Sequence, residues 1–99
     1  MIIRVFRVLI HPQHKLDFEK AYNEISVPLV KSQKGLISVE TGYPITGKSL
    51  EYVMVSNWES ITALQNFAGD NWLKAVIPGG MEKHIERCWV HHYELNQSE

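Results

Sequence analysis

The sequence predicts an α+β fold of the ferredoxin-like kind, βαββαβ, with a four-stranded antiparallel sheet and helices on one face. Two observations predict it. Apolar and β-branched residues cluster in four strand-like segments and recur at helical spacing in two others. These segments follow one another as strand, helix, strand, strand, helix, strand. The 99 residues, 44% hydrophobic and 21% charged, suit one domain, placed at residues 1–95, with a polar tail at 96–99.

The first ten residues, rich in Ile, Val and Phe, form the first strand. Ile3, Val5 and Leu9 fall on one face and Ile2, Phe6, Val8 and Ile10 on the other, so this strand is expected to be buried on both sides and central in its sheet. Pro12 suits the first turn of a helix whose apolar residues Leu16, Phe18, Ala21, Tyr22, Ile25 and Leu29 make one stripe. Pro28 is expected to end or kink that helix near Ser26-Val27. Lys34-Gly35 turns into a second strand, Leu36 to Tyr43, followed by a loop, Pro44 to Ser49.

The third strand runs from Leu50 to Trp58, with Val53 and Val55 on one face and Leu50, Tyr52 and Met54 on the other. A helix beginning at Glu59 or Ser60 buries Ile61, Leu64 and Phe67 and stops near Gly69. Asp70 or Asn71 is expected to cap a short further helix carrying Trp72, Leu73, Ala75 and Val76, ended by Pro78-Gly79-Gly80. A linker around Met81–His84 leads to the last strand, Arg87 to Leu95.

The first, third and fourth strands keep apolar or aromatic side chains on both faces; in the fourth, Trp89 and Tyr93 oppose Cys88 and Val90. A solvated antiparallel face alternates cleanly with polar residues, so a second layer is expected over the side away from the helices. Within 99 residues no segment is left to supply it, and a second copy of the chain is the economical cover. The expected assembly is a homodimer packed sheet on sheet.

Ten basic against eleven acidic residues argue against nucleic acid or an anionic membrane as partner. A single cysteine excludes an intramolecular disulfide and a cysteine-rich zinc site. No apolar run approaches a membrane span, and the arginines in Met1–Arg7 are unlike a signal peptide, so a cytoplasmic location is expected.

The element order, with Trp58-Glu59-Ser60 leading into a helix with Ala63-Leu64 and Phe67, resembles the antibiotic biosynthesis monooxygenase family. His11-Pro12 into Phe18-Glu19, the Lys34-Gly35-Leu36 turn and the closing Val90-His91-His92-Tyr93-Glu94 strand fit the same outline, over roughly Ile2 to Leu95. The resemblance implies a dimeric α+β barrel with a pocket in each subunit between helices and sheet. Some members oxygenate phenolic or quinol-type compounds with molecular oxygen and no cofactor, and others degrade haem. The function expected here is a cofactor-independent monooxygenase acting on a small aromatic or quinol-like compound, with neither cofactor nor metal. The alternative is a non-catalytic homodimer that binds a small hydrophobic molecule.

Such chemistry needs an aromatic enclosure, a base or hydrogen-bond partner, and a cation for anionic oxygen intermediates. Trp58, Phe67 and Trp72 are the expected pocket residues. Asn57 is the expected hydrogen-bond donor, His84 the titrating group, and Arg87 or Arg7 the cation. Each also has a structural reading. The aromatics can be core, Asn57 a local backbone partner, His84 a solvated loop residue, and the arginines partners of Glu40, Glu51 or Glu86. Haem degradation asks for an axial histidine on the segment after the third strand, and Asn66 to Ile77 holds none. His91 and His92, adjacent on a strand, point to opposite faces, and His11 with His14 make only a pair.

Overall fold

The computed structural model describes residues 1–45 and 50–95. Positions 46–49 of the expected loop and the tail at 96–99 lie outside the described residues. Four strands, β1 (Ile2–Ile10), β2 (Leu36–Gly42), β3 (Glu51–Trp58) and β4 (Ile85–Glu94), form one antiparallel sheet in the order β2-β3-β1-β4. β1 is central, as its two apolar faces require. The helices are α1 (Lys15–Ala21), α2 (Val27–Lys31) and α3 (Ile61–Ala68), with 3₁₀ turns at Pro12–His14 and Glu82–His84. This is the ferredoxin-like arrangement. Among the described residues, no helix is long and apolar enough to cross a membrane.

The first helical region does not end at Pro28. A π-helical stretch, Tyr22–Ser26, joins α1 to α2, and the Val27 N–H reaches back to the Tyr22 carbonyl. In a regular α-helix the proline ring would strike the carbonyl four residues earlier; the wider turn makes room for it. The same widening corrects the predicted stripe. The buried residues are Phe18, Tyr22, Ser26 and Val30, spaced by four, whereas Leu16 is 79% exposed and Ile25 and Leu29 are also exposed. Steps of four drift around a helix of 3.6 residues per turn, and the π segment takes up that drift.

α3 is capped as expected: the Ser60 hydroxyl accepts from the Ala63 N–H at 3.1 Å, and Gly69 follows its last residue with φ +80°. Leu64 is fully buried and Phe67 half-buried, but Ile61 faces outward. The short helix expected after Asp70 is absent. Residues 70–74 make turns, with Lys74 N–H donating to the Asn71 carbonyl at 2.9 Å. The physical reason lies in β1 and in Pro78. A continuing helix would offer the Lys74 carbonyl to position 78, where proline has no N–H. Arg4 takes that carbonyl and the carbonyl of Trp72 instead.

The helix-side face of the sheet carries Arg4, Phe6, Val8 and Ile10 of β1 and Tyr52, Met54, Ser56 and Trp58 of β3, nearly all buried. With Phe18, Tyr22, Val30, Leu64 and Met81 they form the core. The opposite face presents Ile3, Val5, Leu9, Val53, Val55 and Trp89, all half-buried, and no described element lies over it. Arg7 and Glu51 pair on that face at 3.7 Å, one of the structural partnerships expected from the sequence.

Candidate functional site

Between the helix-side face and the helices lies one narrow apolar cavity. Its floor is Arg4 and Phe6 of β1 with Met54 and Ser56 of β3; Phe18, Tyr22, Val30 and Phe67 form walls; Ile77, Pro78 and Met81 close it. The alternation of β1 and β3 puts the four floor residues on one face. Its volume is about 40 Å³, room for a few water molecules. Small-molecule sites run to roughly 300 Å³ and more, so a bound aromatic compound needs more room than the cavity has in this structure, where the segment of Ile77, Pro78 and Met81 closes it. That segment is irregular backbone, held by hydrogen bonds such as Met81 N–H to the Pro78 carbonyl at 3.1 Å and Gly80 N–H to Glu82 Oε2 at 3.0 Å.

The polar groups of the cavity are few. Arg4 is 4% exposed, and its guanidinium donates to the Trp72 carbonyl at 2.7 Å and the Lys74 carbonyl at 3.0 Å and lies 2.9 Å from His92 Nε2. Desolvation pushes its pKa down to about 10, which leaves it a cation at neutral pH. Ser56 faces Arg4 across the β1–β3 ladder and accepts a hydrogen bond from Trp58 Nε1 at 2.9 Å. The Tyr22 hydroxyl donates to the Val53 carbonyl at 3.1 Å, and its burial holds the phenol well above its ordinary pKa. The Ser26 hydroxyl turns to Met81 Sδ at 3.4 Å.

Of the residues expected from the sequence, Phe67 lines the cavity. Trp58 stacks behind it, ring centroids 5.3 Å apart, and is fully buried as core. Trp72 lies edge-on to His92 at 4.8 Å, and its carbonyl accepts from Arg4, which ties residues 72–74 to β1. His84 is not a solvated loop residue: it is 5% exposed, with its Nδ1 2.9 Å from Nδ1 of His14. It sits between Met81 and Ile85, which line the cavity, but does not line it. Asn57 falls on the opposite face of the sheet, where its amide donates to Ser38 Oγ at 2.8 Å. Arg87 is on that opposite face too, its guanidinium 5.0 Å from the Trp89 ring centroid. The pleat separates Asn57 and Arg87 from the cavity.

Sequence reasoning passed over Arg4, Ser56 and Tyr22. The signal was period two: Arg4 shares a face with Phe6 and Val8, and Ser56 shares one with Met54 and Trp58. A polar residue in register with a core face is either satisfied or functional. Among the described residues, no group of three or more His, Cys, Asp and Glu is placed to hold a metal ion. No lining residue is a histidine that could serve as an axial ligand, so the residues present do not fit a haem.

A family model described as antibiotic biosynthesis monooxygenase matches residues 1–77. No curated relative matches the chain by sequence. Among solved structures, a cofactor-independent oxygenase from Streptomyces nogalater, SnoaB, is similar at TM-score 0.74 and 16% identity, over 98% of this chain and 94% of that one. A variant of MhuD with two manganese protoporphyrin IX bound per active site is similar at TM-score 0.73 and 17% identity, covering 100% and 98%. A conserved protein from Methanosarcina mazei is similar at TM-score 0.74 and 13% identity, covering 97% and 94%. At these identities the likeness is one of fold.

Proposed function

Because the chain belongs to the antibiotic biosynthesis monooxygenase family, we propose that it is a cofactor-independent monooxygenase acting on a small aromatic or quinol-like compound. The supporting observation is the cavity: largely apolar and aromatic on its walls, polar only on its floor and at Tyr22 and Ser26, and set between helices and sheet. An enclosure of this kind excludes water from a reactive anion and its oxygen adduct. The likeness to SnoaB, described as a cofactor-independent oxygenase, points the same way.

The chemistry balances without a cofactor. An electron-rich substrate such as anthrone loses a proton to water as it enters the cavity, giving an enolate that passes one electron to dioxygen. The resulting radical pair combines at carbon to give a peroxide anion, which takes a proton back from water, and loss of water from the hydroperoxide leaves a carbonyl. One oxygen atom enters the product and the other leaves as water; the substrate supplies all four electrons. Phe6, Phe18 and Phe67 hold the ring system and keep water out of the reacting space.

The proposed assembly is a homodimer in which a second copy covers the half-buried face bearing Val5, Val55 and Trp89. The function is tested with anthrone under ¹⁸O₂. Oxygen uptake above the spontaneous rate, with one labelled atom in the quinone, is expected. Uptake no faster than without protein, across a panel of anthrones and naphthols, would reject the oxygenase and leave the non-catalytic binding protein.

A further inference from the structure

We propose that Arg4 and Ser56 form an anion subsite on the cavity floor, so that the compound the cavity takes carries an anionic oxygen on its aromatic body before any chemistry begins. An aromatic carboxylate and an acidic phenol share this feature. The inference rests on reading the cavity as the ligand site.

The observation behind it is a buried cation without an anion. Arg4 is 96% buried by its 4% exposure, yet no carboxylate among the described residues lies within ion-pair distance of it. Buried charges in folded proteins are paired or hydrogen-bonded, because desolvating an unpaired ion is costly. Here the compensation comes from neutral partners, and every fully buried side-chain nitrogen and oxygen among the described residues has a hydrogen-bond partner. The guanidinium has five N–H groups. The Trp72 carbonyl, the Lys74 carbonyl and His92 Nε2 engage three of them, all through the two Nη atoms. Two N–H groups remain, Nε–H and one on Nη2. These partners are neutral dipoles, which orient the cation without neutralising it.

Ser56 completes the arrangement. It is the direct cross-strand neighbour of Arg4 on the cavity face, so the two side chains start about 5 Å apart. Its oxygen accepts from Trp58 Nε1, while its own O–H has no acceptor among the described residues. Arg4 and Ser56 both line the floor of the cavity, beneath walls that suit an aromatic ring, with the guanidinium hydrogen-bonded toward His92 of β4 and the 72–74 carbonyls. A carboxylate or phenolate oxygen is the ligand group that accepts from both. The low dielectric of the cavity strengthens that pairing over the same pairing in water. A neutral aromatic compound would fill the walls and leave the cation as it was.

A purely structural Arg4, clamping the 72–74 carbonyls, would show no preference for charge in a ligand. The experiment uses the full chain and a nitrophenol whose own ionisation falls near neutral pH, because its phenolate absorbs visibly. In the wild-type protein the bound phenol is expected to ionise at least one pH unit lower than the free phenol, a tenfold preference for the anion. Arg4→Gln is expected to erase that shift. Since Arg4→Gln also releases the Trp72 and Lys74 carbonyls and can unfold the segment, Ser56→Ala is the second variant, expected to reduce the preference about threefold with the circular dichroism unchanged. An unshifted or raised ionisation of the bound phenol overturns the proposal, as does a full shift in folded Arg4→Gln or no binding of either form. The outcome is separable from the anthrone assay. Oxygen uptake without a charge preference sinks only the anion subsite, and a charge preference without uptake sinks only the oxygenase.

Discussion

Gly35→Ala tests whether the turn into β2 fixes the position of α3, and through it the Phe67 wall of the cavity. Gly35 has φ +88°, and a methyl group built there would lie 2.4 Å from the Cβ of Ala63 and 3.7 Å from its Cα. Its carbonyl also accepts from the Glu59 N–H at 2.9 Å, just before α3 begins. Two costs follow. An alanine in the left-handed region costs about 1–2 kcal/mol. Forcing a methyl into a filled contact costs about 1–3 kcal/mol more. The expected loss is about 2–5 kcal/mol in urea unfolding followed by tryptophan fluorescence, at one fixed protein concentration and with an unchanged slope. Ala63→Gly opens the contact but leaves the backbone strain, and by itself costs about 1 kcal/mol as a glycine in a helix. The double variant should therefore be more stable than the sum of the singles by about 1–3 kcal/mol. A loss below about 1 kcal/mol for Gly35→Ala, or strict additivity in the double variant, would refute the packing argument.

Three further outcomes are expected. Ser60→Ala removes the acceptor for the Ala63 N–H and should cost about 1 kcal/mol, with Ser60→Asp restoring most of it in the same unfolding assay. Val55→Asp places a charge in the middle of the uncovered sheet face and should convert a sedimenting dimer to monomer, whereas Leu16→Asp, on an exposed helix position, should leave it a dimer. Acid should destabilise the fold through two histidines. Desolvation, then His14 and Lys83, hold His84 below its ordinary value of 6.5, with Asp17 opposing. Desolvation, then Arg4 and His91, do the same for His92. Below about pH 6.5 the unfolded chain binds more protons than the folded one, so stability is complete above that pH and falls as pH drops through the folded values. His84→Gln should flatten part of that slope, and a stability independent of pH between 7.5 and 5 would contradict it.

Much of the fold was legible from local pattern. The two apolar faces of β1 predicted its central place, Ser60 and Gly69 bounded α3, and Pro12 and Lys34-Gly35 marked the entry and exit of the first helical region. Pattern failed where a distant group intervened. The segment after Asp70 has helix-like residues, but Arg4, some seventy residues away in sequence, takes its carbonyls. Pro28 reads as a helix end or kink near Ser26-Val27, and the structure has a π turn there with the helix continuing beyond it. His84 reads as exposed between glycines and charges, yet the fold sets it against His14 and buries it.

For the site, the amino-acid sequence by itself determined the inventory: aromatic residues, five histidines, one cysteine, a near-neutral charge, and strands apolar on two faces. The order of its segments, with Trp58-Glu59-Ser60 leading into a helix, carried the resemblance to the family whose model matches residues 1–77. Only the tertiary structure decided which polar residues share the cavity. Asn57 and Ser56 are adjacent in sequence, but the pleat sends one to each side of the sheet. Arg4, Arg7 and Arg87 are equivalent as cations; register across β1 buries Arg4 beneath the helices and leaves the other two on the open face. A strand's period of two makes side-chain direction depend on which face the helices cover, and that is settled by packing between segments far apart in the chain.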